Sequence, residues 1–153
     1  MRDDAAMDDL AELRDLLADE HGLVVVSSAR ADGSVLSSVV NAGVMDHPVD
    51  GEPVVAFVSR GDAARLAHLR DGRHVTVTIR RGWRWRGVTG PTDLIGPDDA
   101  ADGFDEERIR QLLREVFLAA GGSHDDWDTY DRVMAEERRV AVLVRPGRVT
   151  GNG

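Results

Sequence analysis

The 153-residue sequence predicts an α+β fold, a small antiparallel β-barrel with flanking helices. Three observations predict it. Short apolar or alternating runs follow one another through hairpin-type turns, which argues against a doubly wound parallel sheet. Helical periodicity is confined to the first twenty residues, a short piece near residue 65 and the stretch after residue 105. Glycine, proline and aspartate punctuate the boundaries between these runs. Residues 1–153 show no internal repeat and no second domain.

Taken in order, Leu10, Leu13, Leu16 and Leu17 share one helical stripe, with Asp8 as the expected N-cap and His21-Gly22 as the stop. Residues 23–28 form a first strand, and Ala31-Asp32-Gly33-Ser34 supplies hairpin chemistry. Residues 35–45 continue as a second strand, a loop of breakers fills 46–53, and 54–59 form a third. Asp62 is placed to cap a short helix running to Leu69. Val75, Val77 and Ile79 then alternate with polar residues in a half-buried strand. A fifth strand is expected from Trp83 to about Ile95, interrupted near Gly90-Pro91. Ile109, Leu112, Leu113, Val116, Phe117 and Ala120 keep helical spacing over 106–120. Ser123 or Asp125 is the expected cap of a last helix carrying Trp127, Tyr130 and Met134. Residues 140–144 close the order with a final strand.

Composition excludes several chemistries. Cysteine is absent, so disulfides, thiolate metal sites and cysteine nucleophiles are excluded together. All 19 basic residues other than histidine are arginine, which removes a lysine Schiff base. No apolar run approaches the roughly 20 residues of a bilayer span, and the acidic start lacks the order of a secretory signal. Cytoplasmic residence, with no membrane partner, is the expectation.

The net charge of −9 is unevenly spread. Eight arginines (60, 65, 70, 73, 80, 81, 84 and 86) face only Asp62 and Asp71 in their own stretch, which is therefore +6 and leaves −15 elsewhere. One cationic segment in an acidic protein suits a small polyanion. It suits nucleic acid poorly, because the remainder would repel a long phosphate chain. Solvated arginines scattered over strand faces would give the same count.

The motifs point away from hydrolysis and metals. The five histidines lack metal-ligand spacing, and His124-Asp125-Asp126 reads as helix capping. There is no Gly-x-Ser-x-Gly elbow, and Gly87-Val88-Thr89-Gly90 lacks the lysine of a phosphate loop. What remains is a site where a cofactor performs the reaction. Arg60, Arg65 and the first amides of the 62–69 helix are candidates for a phosphate. Trp83 and Trp85 fall on one strand face and Arg84 and Arg86 on the other. Taken alone the tryptophans read first as core or dimer-interface anchors, and otherwise as candidates for packing on a planar ring.

The order of these segments resembles the pyridoxamine 5′-phosphate oxidase-like split β-barrel superfamily, and within it the coenzyme F420 (deazaflavin)-dependent reductase branch. The residues that carry the resemblance are VVAFVSRG at 54–61, RLAHLRD at 65–71, GWRW at 82–85, LIGPDD at 94–99 and HDDWDTYDRVM at 124–134. The resemblance implies an FMN-binding-protein-like antiparallel split barrel with flanking helices, assembled as a homodimer with a cofactor groove between the barrels. It places the ring near Ser38, Val39, Val40, Phe57 and Ser59, and the phosphate at Arg60 and Arg65. An oligoglutamyl tail would meet Arg80, Arg81, Arg84 or Arg86. Trp83 and Trp85 border the groove, and Trp127 and Tyr130 close it from the opposite subunit. Three positions depart from the usual pattern: Arg65 stands where lysine is more frequent, His68 where asparagine is, and Thr150 where an aromatic is. The implied activity is hydride transfer from reduced coenzyme F420 to a small unsaturated or quinone-like acceptor, with no catalytic side chain. The alternatives are an FMN-binding oxidoreductase of the same fold or a non-catalytic cofactor-binding protein.

Overall fold

A computed structural model of the chain describes residues 4–152, with side chains from residue 9 onward. The elements run α1 (Asp4–Asp19), β1 (Leu23–Ala29), β2 (Val35–Asp46), β3 (Pro53–Ser59), α2 (Arg65–Arg70), β4 (Val75–Arg81), β5 (Arg84–Gly90), β6 (Thr92–Ile95), α3 (Glu106–Ala119), α4 (Trp127–Glu136), β7 (Val140–Val144) and β8 (Arg148–Gly151). The strands form one curled antiparallel sheet in the order β6-β7-β3-β2-β1-β4-β5-β8.

Alternation along each strand decides which helix it meets. Val55 and Phe57 of β3, Val140, Val142 and Val144 of β7, and Val75, Val77 and Ile79 of β4 face one side. There they pack with the leucine stripe of α1 and with Leu66 and Leu69 of α2. Val54, Ala56, Ala141 and Leu143 face the other side, against Leu112, Leu113 and Val116 of α3. β3 and β7 are thus covered on both faces, which is why they read as continuous apolar runs rather than alternating ones. β1 and the first half of β2 are covered on one face only, and Leu23, Val25, Val35 and Val39 remain exposed on the other, while the second half of β2 meets α3, where a Cβ on Gly43 would lie 2.1 Å from the Ala119 carbonyl oxygen.

Most turns are as the sequence predicts. In the β1–β2 hairpin, Asp32 accepts from the Ser34 amide at 2.9 Å and the Ser34 hydroxyl at 2.6 Å, which holds its carboxyl below the usual range. Asp105 caps α3 through the Arg108 amide. Four details differ. α1 starts at Asp4, so Asp8 lies inside the helix rather than at its cap. The α2 helix is only six residues long and starts at Arg65; Asp62 bonds the Arg60 guanidinium at 3.1 Å and caps nothing. Asp126, neither Ser123 nor Asp125, caps α4 through the Thr129 amide. The long fifth strand divides at Gly90-Pro91 into β5 and β6, which take positions near opposite ends of the sheet order. A further strand, β8, pairs with β5; its single half-buried valine gave no apolar run to read.

The Gly90 corner brings those two regions together. Gly147 donates its amide to Thr89 at 3.1 Å and Arg145 to Pro91 at 2.9 Å. A Cβ on Gly90 would lie 1.8 Å from the Arg145 carbonyl oxygen. Both partners are backbone and cannot step aside. Gly90→Ala is therefore expected to cost about 1–3 kcal/mol, a melting temperature lower by roughly 3–10 °C. A thermal melt matching the wild type would show that the corner is loosely packed.

Candidate functional site

The site grows from one side chain. Arg65 opens α2, where Leu66 and Leu69 take the buried flank and set the direction of their neighbour. Its guanidinium lies 5.9 Å from the Phe57 ring centroid and donates to Ser59 Oγ at 2.9 Å and Ser38 Oγ at 2.5 Å. It is half-buried and forms no ion pair among the described residues. Burial holds its pKa below the ordinary arginine value. Cations in such positions are normally paired. Here two hydroxyls orient the charge and leave it uncompensated.

The other arginines of the +6 stretch behave differently. Arg60 pairs with Asp62 and Arg73 with Asp71, the two acids of the stretch itself. Arg70 makes a two-pronged contact with Asp99, at 2.9 and 2.7 Å, which raises its pKa. Three more are taken up by α1: Arg81 by Asp19 at 2.7 Å, and Arg84 and the buried Arg86 by Glu12. Acids distant in sequence thus neutralise most of the cationic segment. Only Arg65 and Arg80 stay without a carboxylate among the described residues, Arg80 reaching no more than the Gly82 carbonyl at 3.3 Å.

The sequence-predicted residues divide accordingly. Ser38, Ser59 and Arg65 come together. Phe57 is fully buried beneath Arg65 and offers no wall to a ring, a correction that follows from its place on the doubly covered β3. Val40 packs on the core, whereas Val39 points to the opposite, exposed face of β2. Arg60 is exposed and paired beside the site. Arg81 and Arg84 are held by α1 instead of standing free for an acidic tail.

The exposed face of β1, β2, β4 and β5 is a second feature. Val25 stands opposite Val39 and Thr78, and Arg80 opposite Trp85. Together with Leu23 and Trp83 these residues line an open groove of about 980 Å³. Trp83 lies in the β4–β5 turn rather than in the strand and is 93% exposed, against 37% for Trp85.

Trp127 and Tyr130 belong to neither feature within one chain. With Phe117 and His124 they form an aromatic cluster, centroids 5.0–6.3 Å apart, at the α3–α4 junction. Arg114, bonded to Asp131, lies over the Trp127 ring. A cleft of about 740 Å³ opens beside them, with Ile109, Leu113 and Met134 in its lining. His124 Nδ1 accepts from the Asp126 amide, as capping requires, and no cluster able to hold a metal exists among the described residues.

Two polar arrangements escaped the sequence reading. Buried His47 bonds Asp93 through Nε2 at 2.9 Å, and Arg145 joins Asp93 and Asp50, tying the loop before β3 to β6 and β7. Buried Ser28 bonds His68 Nδ1 at 2.9 Å. The signal for the latter was present: Ser28 falls on the apolar parity of β1, after Val24 and Val26.

No protein-family model matches the chain. Solved structures do. A protein of unknown function from Agrobacterium tumefaciens superposes with TM-score 0.60 at 16% identity over 95% of this chain, which spans 57% of that protein's length. A Clostridium acetobutylicum protein related to general stress protein 26, of the pyridoxinephosphate oxidase family, gives 0.60 at 11% identity over 95% of this chain and 88% of its own. An F420 reductase gives 0.56 at 14% identity, over 84% and 88%. These likenesses establish the fold as the split β-barrel of pyridoxamine 5′-phosphate oxidase-like proteins.

Tyr130 is the chain's one tyrosine. Burial pushes its pKa up to about 12, and its hydroxyl donates to the Leu113 carbonyl at 3.1 Å. The phenol is neutral when folded and ionises more readily when unfolded, so its contribution is complete below about pH 10 and is lost as pH rises toward 12. Ultraviolet absorbance of tyrosinate should show a midpoint near 12. A midpoint at the ordinary value would place Tyr130 at the surface.

Proposed function

We propose that the chain is a flavin- or deazaflavin-binding oxidoreductase that passes a hydride from reduced coenzyme F420 to a small unsaturated or quinone-like acceptor, at a groove shared by two copies of the chain. The observation that carries this is Arg65, an oriented and uncompensated guanidinium at the strand-to-helix turn where a cofactor phosphate is expected. The name of the F420 reductase neighbour supports the deazaflavin over FMN.

The residues fit such a group. Arg65 offers charge-assisted bonds to phosphate, and Ser38 and Ser59 already hold it in place, so little ordering is lost on binding. Val39, Trp85 and Arg80 line the groove on the opposite face of the sheet, so their apolar face and charge would meet the same cofactor only from the second copy. The cofactor would supply the hydride; the chain binds, orients and excludes water. Trp127 and Tyr130 would act only from the second copy, and with the Tyr130 hydroxyl committed to Leu113, the Trp127 ring is the better candidate. The exposed Leu23, Val25, Val39, Trp83 and Trp85 give the second copy its surface.

Fluorescence anisotropy with purified protein tests the reading. Coenzyme F420 should be retained more tightly than FMN. Arg65→Ala should weaken binding about ten- to a hundredfold, and Arg108→Ala, whose guanidinium pairs with Glu115, should leave it nearly unchanged. Equal affinity in wild type and Arg65→Ala would remove the phosphate from this position.

Sedimentation tests the assembly. A stable dimer at micromolar concentration is expected, burying more than about 2,000 Å². A monomer would contradict the shared groove.

A further inference from the structure

Arg65 lies in a segment that is fastened at both ends. On its N-terminal side the chain turns at Gly61, whose amide donates to the Glu137 carbonyl at 3.1 Å. A Cβ on Gly61 would lie 2.5 Å from the Arg138 carbonyl oxygen, so this turn rests directly on the backbone of the α4–β7 corner. Arg138 holds φ at 49°, a left-handed conformation that few residues other than glycine adopt. Such a conformation persists only where its surroundings impose it. Here the Arg138 guanidinium makes a two-pronged contact with Asp98, its Nε donating at 2.7 Å. On the C-terminal side, Arg70 ends α2 and makes the same kind of contact with Asp99.

Two acids adjacent in sequence thus close on opposite ends of residues 61–70, one through Arg70 and the other through the corner beneath Gly61. The loop that carries them is itself fixed. Gly96 and Asp99 exchange backbone hydrogen bonds at 3.1 Å each. Buried Gly96 passes so close to β7 that a Cβ would lie 3.1 Å from the Val140 Cα. The Asp99 side chain is shielded at 12% exposure, and that of Asp98 is open at 46%. Two-pronged pairs of this kind fix geometry as well as charge.

We infer that Asp98 and Asp99 are positioning residues of the anion site, fastening residues 61–70 to β6 and β7 so that the Arg65 guanidinium is already in place when an anion arrives. This rests on reading Arg65 as the phosphate anchor. Neither carboxylate bonds Arg65 among the described residues, and as charges both oppose an anion. Their contribution is geometric, because a side chain ordered beforehand loses less freedom on binding. Charge and position therefore predict opposite signs. Removing a carboxylate from beside the cationic segment strengthens anion binding if charge alone decides. It weakens binding if the carboxylate fastens Arg65.

Asp99→Asn and Asp98→Asn, with sulfate and coenzyme F420 as probes, separate the two. Each variant should bind both probes roughly three- to tenfold more weakly. The loss should vanish in the Arg65→Ala background. NMR relaxation of the Arg65 Nε–H, without any anion, should show an ordered guanidinium in the wild type and a freer one in each variant. Asp98→Asn carries the test if Asp99→Asn fails to fold, because its pair is solvated and contributes little stability. Unchanged or tighter sulfate binding, or an Arg65 as ordered as in the wild type, overturns the inference. The cofactor reading survives that result if coenzyme F420 still binds the wild type more tightly than Arg65→Ala. If neither coenzyme F420 nor FMN binds the wild type while the variants free Arg65 and weaken sulfate binding, the cofactor reading falls and the fastening stands.

Discussion

Coverage of β3 and β7 on both faces organises the rest of the molecule. These strands meet the α1 and α2 leucines on one side and α3 on the other, and every residue of β7 is buried. Burial on both faces specifies register strongly, because a one-residue slip would exchange two differently shaped interfaces. Ser59, at the end of β3, inherits that precision. A hydroxyl anchored on the most fixed strand can hold the Arg65 guanidinium at a defined position, which a loop residue could not.

Electrostatics completes the arrangement by subtraction. The sequence places many positive charges close together, and the fold then brings acids from α1 and from the loop after β6 to most of them. Exposed pairs of this kind contribute little individually. Their effect on binding is larger, since each neutralised guanidinium removes a competing landing place for an anion. The cationic stretch is thus narrowed to Arg65 on one face of the sheet and Arg80 on the other.

Much of this was legible. Strand boundaries from β1 to β4, the α3 stripe and β7 follow from apolar periodicity, which responds directly to burial. The split at Gly90-Pro91 was visible as a break, but the separation of β5 from β6 was not, because only the long-range pairing of β6 with β7 decides it. Asp62 looked like a cap because local chemistry favours it, yet Arg60 is an equally local partner and took it. Among the site residues, Ser38, Ser59 and Arg65 come together, whereas the full burial of Phe57 and the α1 partners of Arg81, Arg84 and Arg86 could not be read from the sequence. Their surroundings come from elements far away in sequence, β7 for Phe57 and α1 for the arginines, which no local pattern reports.

Arg86 shows what such distant surroundings entail. Its buried guanidinium donates toward both ends of the described fold, to the Glu12 carboxylate in α1 and the Asn152 carbonyl after β8, as well as to the carbonyl of Trp85 next to it. Loss of α1 would strand that buried charge, and loss of the segment after β8 would leave one of its N–H donors short of an acceptor. The first helix and the end of the last strand are therefore coupled through this one side chain. Hydrogen exchange in the two should rise and fall together, although almost the whole length of the chain separates them.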